Sequence, residues 1–225
     1  LDRETINQVV YLGQGTVSQG VTSPYSPWGR TSEEGKALME QWRNLAIEYD
    51  VAKANELLDS VGLDQKDADG FRLLPSGKRL VLTVATSNAP ESRAVDVMEM
   101  AIEYWRTVGI DITLNTQEPA AMGERRATAD YDIDGWDAWS GYYIPTIPDT
   151  LYPVGSGYCG MRQTALWYNT KGEQGEAPEP GDPMEKLLEA YENMIAATTE
   201  EERTKWVLEG VKIHINDGPF MLAAV

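Results

Sequence analysis

The sequence predicts an α/β fold on three observations. Helical and strand-like periods alternate between Asp50 and Thr116, turn residues punctuate nearly every junction, and two β-branched runs flank one helix-length segment. Two strands joined by a helical crossover of that length are most simply parallel and right-handed.

Residues 1–12 place Ile6, Val9 and Val10 at helical spacing, and the Gly/Ser/Pro-rich stretch after them reads as an extended loop. A short helix is expected over Leu38–Ile47. Asp50 caps the next one, Val51, Ala54, Leu57, Leu58 and Val61 form its apolar stripe, and Gly62 supplies the left-handed stop. Asp67–Arg72 and Pro75–Lys78 are turn clusters, and Leu80–Thr86 has the composition of a buried strand. From Glu91 to Val108 the positions Val95, Met98, Ile102 and Trp105 share a helical face; Gly109 ends it, and Ile110, Ile112 and Leu114 alternate as in a strand. Tyr131–Gly135 reads as a further strand. Between Asp137 and Asp182 no clean period appears, so an irregular segment with a short strand near Leu166–Tyr168 is expected. Asp182 caps a helix from Pro183 to Ala197, with proline at its first position. Thr199 with Glu202 forms a capping box opening the last helix through Val211, and His214, in the alternating Val211–Ile215 run, reads as a packed or surface residue and not as a catalyst.

Five pieces of this chain, "LDRETIN", "AKANELLDSVGLD", "DADGFRLLPSGKRLVLTVATS", "EYWRTVGIDITLNT" and "DYDIDGW", stand in the order seen in solute-binding proteins of peptide- and oligosaccharide-type ABC importers. On them the chain resembles that family, typified by oligopeptide-binding receptors, and "NDGPFMLAAV" looks like the strand that in the family runs back toward the hinge. The resemblance implies a periplasmic-binding-protein-like lobe of type II with a mixed sheet flanked by helices. It further implies that residues 1–225 are the C-terminal ligand-binding lobe of a two-lobed receptor whose first lobe is absent. The implied location is extracytoplasmic, in the periplasm or on a cell-surface lipoprotein, with a signal peptide outside this stretch. The implied partners are a peptide or other small-molecule ligand, the transmembrane permease subunits of an ABC importer and the missing N-terminal lobe. Neither catalysis nor a cofactor is expected.

Composition narrows the function independently. The 225 residues carry 19 basic and 36 acidic side chains, a formal charge of −17, which repels phosphate backbones and excludes nucleic acid as a natural partner. With 42% hydrophobic residues the chain has enough apolar material for a substantial core, and one domain is expected. The single thiol, Cys159, forms no intramolecular disulfide.

Seven Trp and eleven Tyr stand against two Phe, a bias toward rings that also hydrogen-bond. Nine of these twenty aromatics fall between Tyr131 and Tyr168, which marks that span as a cleft wall. Trp136, Asp137, Trp139, Tyr142 and Tyr143 follow a strand end, where open α/β sheets hold ligands, and are the expected ligand-binding residues. Trp28, in the rigid Pro24–Trp28 loop, joins them, because the resemblance puts this loop near the lobe boundary. In peptide-binding relatives an Asp three residues after the Trp pairs with the peptide ammonium; here that position is Trp139. Indole faces suit apolar side chains and the C–H faces of sugar rings alike, so oligopeptide leads and oligosaccharide is the alternative. Core filling by the same rings is the competing structural reading, and glycosidase-type catalysis by an acid pair is the competing chemical one. Ser87, Asn88 and Glu91 lie at a strand-to-helix junction, where they either contact ligand or cap. The Gln65–Gly70 stretch fails as a calcium loop at its first and twelfth positions, Gln65 and Ser76, and no metal site is expected.

Overall fold

A computed structural model describes residues 1–19, 26–128, 130–135, 144–155 and 161–223. Within the stretch read as one domain the chain forms two compact units, unit 1 from Leu1–Val17 and Ile47–Asp137, unit 2 from Ser18–Ala46 and Ala138–Ala223. Each has its own apolar cluster.

Unit 1 opens with helix α1 (Arg3–Val10), capped by Asp2 through the amide of Thr5. Unit 2 begins with a 3₁₀ turn, Pro27–Gly29, and helix α2 (Glu33–Arg43), capped by Ser32 and starting five residues before the expected Leu38. Returning to unit 1, α3 (Val51–Ser60) uses Asp50 as its cap, the Asp50 carboxylate accepting from Lys53 N at 2.8 Å. Strand β1 (Val81–Ser87), helix α4 (Ala94–Thr107) and strand β2 (Asp111–Gln117) follow as the crossover unit expected from sequence. Helix α5 (Pro119–Thr128) was not anticipated, because its apolar stripe is reduced to one buried residue, Met122. Strand β3 (Ile133–Gly135) then completes a sheet ordered β2-β1-β3, in which both pairings are parallel.

Met98, Ile102 and Trp105 of α4 pack on Val84 and Ile112 of the sheet, as their spacing predicts. Val97 and Ala101, outside that stripe, are also buried, and α1 contacts α4. The turn clusters between α3 and β1 are tied by a buried cation. Arg72, 1% exposed, donates through Nε to Val108 O at 2.7 Å and through its terminal nitrogens to Asp59 Oδ1 and Asn55 Oδ1 at 2.6 Å each, and to Leu63 O.

Unit 2 is helical. Two 3₁₀ turns, Ile144–Thr146 and Pro148–Thr150, precede α6 (Arg162–Asn169), α7 (Pro183–Ala196) and α8 (Glu200–Asn216). Helices α7 and α8 pack together, and α2 lies on α8. The shared core contains Trp42, Leu151, Tyr152, Leu187 and Val211. The short strand expected near Leu166–Tyr168 is instead the body of α6; its aromatic run satisfied a strand composition, but the segment closes helical bonds and buries Ala165. The last helix, expected through Val211, continues over Val211–Ile215. Seven residues of α8, among them Val207, Val211 and His214, are buried, and a helix covered on several sides loses the polar face that would have marked its period. Residues 217–223, read as the start of a returning strand, form no strand.

The helix starts of unit 2 follow their predicted chemistry. Asp182 accepts from Met184 N at 2.7 Å with Pro183 behind it. Thr199 Oγ1 accepts from Glu202 N at 3.2 Å, and the Glu202 carboxylate accepts from Thr198 N at 3.1 Å, which holds that carboxyl below its ordinary range. Replacing Thr199 by alanine is expected to cost about 1 kcal/mol in chemical denaturation, with the Glu202 carboxyl moving back toward its ordinary value in an NMR titration.

Candidate functional site

Parallel strands align their carboxyl ends along one edge, where the backbone leaves the ladder and side chains become free to meet solute. In unit 1 that edge is formed by Ser87, Gln117 and Gly135. Thr86 Oγ1 donates to Gly135 O at 2.6 Å, fixing β3 against β1 just before residue 136. Asn88 N donates to Gln117 O at 2.9 Å, and Asn88 Nδ2 donates to Glu118 Oε1 at 3.1 Å. Asn88 and Glu118 are exposed, so the edge offers an amide and a carboxylate to a polar solute; Gln117 Oε1, a buried acceptor, has no hydrogen-bond partner among the described residues. Ser87 is fully buried and accepts from Ala89 N at 3.3 Å, which makes it a turn residue. Glu91 precedes α4 and is exposed.

Trp136, Asp137, Trp139, Tyr142 and Tyr143 lie outside the described residues. What the structure fixes is where this run departs and returns: it leaves β3 at Gly135 and re-enters at the Ile144–Thr146 turn. Trp28 is described, and it is 3% exposed within the core of unit 2. Pro27 and Trp28 share a small concavity with Ile144, Pro145 and the α8 residues Arg203 and Val207. The structure therefore brings Pro27 and Trp28 beside Ile144 and Pro145, the residues that follow the aromatic run in the sequence.

The segment 144–155, between the aromatic run and residue 156, is held at four points. Its Leu151 carbonyl meets His214 Nε2 at 2.7 Å, Tyr152 Oη donates to Trp206 O at 3.0 Å, Asn169 Nδ2 donates to Val154 O at 3.0 Å, and an Arg162 guanidinium nitrogen donates to Gly155 O at 3.3 Å. Ile144, Leu151 and Tyr152 are fully buried. None of these supports was identified from sequence as part of a site. The signal available was the single histidine of the chain, but its partner is a backbone atom 63 residues away, which no motif encodes.

The acidic loop rejected as a calcium site holds a guanidinium instead. Arg79 lies within 2.7 Å of Asp67, 2.6 Å of Asp69 and 3.3 Å of Asp111, with its carbon 4.5 Å from the centroid of the Phe71 ring. Partial burial works against the charged form of Asp67, but bonds from Phe71 N, Arg79 and Asp69 N hold its carboxyl below the usual range. Among the described residues no group of three or more His, Cys, Asp or Glu side chains is placed to hold a metal, and no helix is long and apolar enough to cross a membrane.

Residues 1–158 match the family described as bacterial extracellular solute-binding proteins, family 5 Middle. Among solved structures, the oligopeptide-binding protein OppA is similar at 24% identity and a TM-score of 0.78, over 99% of this chain and 35% of that one. AppA, the oligopeptide-binding protein of Bacillus subtilis, solved with a nonapeptide, is similar at 19% identity and a TM-score of 0.65, over 96% of this chain and 38% of that one. A mannohexaose-bound periplasmic oligopeptide-binding protein from Thermotoga maritima is similar at 16% identity and a TM-score of 0.62, over 96% of this chain and 38% of that one. At these identities the likeness is one of fold, and the chain spans little more than a third of the length of each.

Proposed function

Because the chain belongs to the bacterial extracellular solute-binding proteins of family 5, we propose that it is a ligand-capturing part of a receptor that delivers a solute to an ABC importer. The observation that carries this reading is the family match over residues 1–158, which includes the run Trp136–Tyr143 directly after the carboxyl end of β3. In this reading Trp136, Trp139, Tyr142 and Tyr143 form a stacking wall, Asp137 supplies an acceptor, and Trp28 is a further ring of the site. The work is binding. No bond is made or broken, and the ring faces desolvate the solute while the edge polar groups orient it. The receptor acts outside the cytoplasm, closing this part and its missing N-terminal lobe around the ligand before docking on the permease subunits.

Oligopeptide is the leading ligand class, supported by the peptide-binding proteins among the similar folds. Oligosaccharide is the second, favoured by Trp139 standing where the resemblance calls for an ammonium-pairing Asp, and by the mannohexaose held in one similar fold. A thermal-shift screen of the whole receptor against peptide and oligosaccharide libraries separates them. A ligand present at a hundred times its Kd stabilises by about 2.7 kcal/mol, a shift of several degrees. Trp139→Ala is expected to abolish that shift while leaving the unliganded melting temperature within about a degree. A hit whose shift survives the substitution would remove Trp139 from the wall, and a screen in which neither class shifts the melting temperature would refute the proposed solute classes.

A further inference from the structure

We propose that His214 is a proton-sensitive pin that holds segment 144–155 at neutral pH and releases it in acid. His214 is the only histidine of the chain and is fully buried. Its Nε2 lies 2.7 Å from the Leu151 carbonyl, an acceptor, so Nε2 carries the proton and donates. Nδ1 is then a bare acceptor, and among the described residues it has no hydrogen-bond partner. The ring stacks on Trp42 of α2 at 5.2 Å between centroids and meets Phe220 edge-on at 5.2 Å. A second proton on the ring would sit on Nδ1 among aromatic carbon, with no acceptor to receive it.

The charged groups on the surrounding elements are engaged with one another. Glu34 of α2 and Glu209 of α8 lie at 2.7 and 3.7 Å from Lys212, and Asp217 lies 3.2 Å from Lys186 of α7. Burial pushes the imidazole down to about 4 from 6.5, with the Leu151 carbonyl opposing the shift. The folded value is depressed, so the pinned state is favoured fully above pH 6.5 and loses its advantage as pH falls from 6.5 toward 4. Once segment 144–155 opens, His214 titrates as an ordinary imidazole, and linkage then makes opening about 20-fold more frequent at pH 5 than at pH 7.

Hydrogen exchange on the full chain tests this. The amides of Thr150, Leu151, Tyr152 and Val154 donate within the segment and report its opening. Corrected for intrinsic exchange, their protection is expected to fall about 20-fold from pH 7 to pH 5, while α7 amides keep theirs. His214→Gln retains a donor for Leu151 O without a titrating group, and is expected to keep pH 7 protection and lose the pH dependence. Protection unchanged in the wild-type segment, a fall shared equally by α7, or wild-type pH dependence in His214→Gln would each overturn the proposal. Should the variant fail to fold, an NMR titration of wild-type His214 decides: a midpoint at or above 6.5 refutes the pin. None of these readouts uses a ligand, so the pin and the ligand wall stand or fall separately.

Discussion

Arg72→Met is expected to lower the stability of the protein by roughly 3–5 kcal/mol, enough to shift thermal unfolding of unit 1 by more than about 10 °C. Methionine keeps most of the apolar stem, so the loss isolates the guanidinium. That group satisfies Val108 O, Leu63 O and Asn55 Oδ1 from a site 1% exposed, and without it the two carbonyls lose this donor where little water reaches, while Asn55 Oδ1 is left with the 3.5 Å contact from Lys66 Nζ. The pairing with Asp59 contributes less, because that carboxylate is 52% exposed and regains solvent. Arg72→Lys should recover only part of the loss, since one ammonium does not span acceptors arranged around a planar fork. Urea denaturation followed by far-UV dichroism measures both; a methionine variant within about 1 kcal/mol of wild type would show the cluster to be incidental.

The second large effect is expected at Gly35. In an isolated helix, Gly→Ala stabilises by about 1 kcal/mol. Here a Cβ at position 35 falls 2.1 Å from the carbonyl oxygen of Trp28, a backbone atom that moves only if its turn moves. The overpacking penalty, roughly 1–3 kcal/mol and at the upper end where backbone must shift, outweighs propensity and reverses the sign. Gly35→Ala is therefore expected to destabilise unit 2 by about 2 kcal/mol net and to alter the near-UV dichroism of Trp28. A stabilised variant with unchanged near-UV spectrum would mean that α2 and the Pro27–Gly29 turn separate freely.

Elements whose cause is local were legible in the sequence. Asp50, Asp182 and Thr199 cap the helices they were expected to cap, and the β-branched runs around α4 pair in parallel as the crossover length requires. What escaped was decided by tertiary burial. The Val211–Ile215 run alternates like a strand because α8 is covered on several sides, and α6 carries a strand-like composition inside a helix. Helix α5 showed too few apolar residues to declare itself. For the candidate site, the sequence pointed to an aromatic run by composition and to its place after a strand. It gave no view of the clamp on segment 144–155, because three of its four anchors are backbone carbonyls met by side chains of α6 and α8 and the fourth sends a tyrosine hydroxyl the other way. Hydrogen bonds to main chain carry no residue identity on the acceptor side, so no motif records them.

The interleaving of the two units along the chain also sets the sequence separation of the surfaces that must meet. Helix α2 precedes the unit 1 crossover, yet the surface it packs against belongs to α8, which follows that crossover. Trp42 and Met39 therefore stay apolar and uncovered until α8 is in place to cover them, a contact of high sequence separation whose loop-closure cost falls on the folding rate of unit 2.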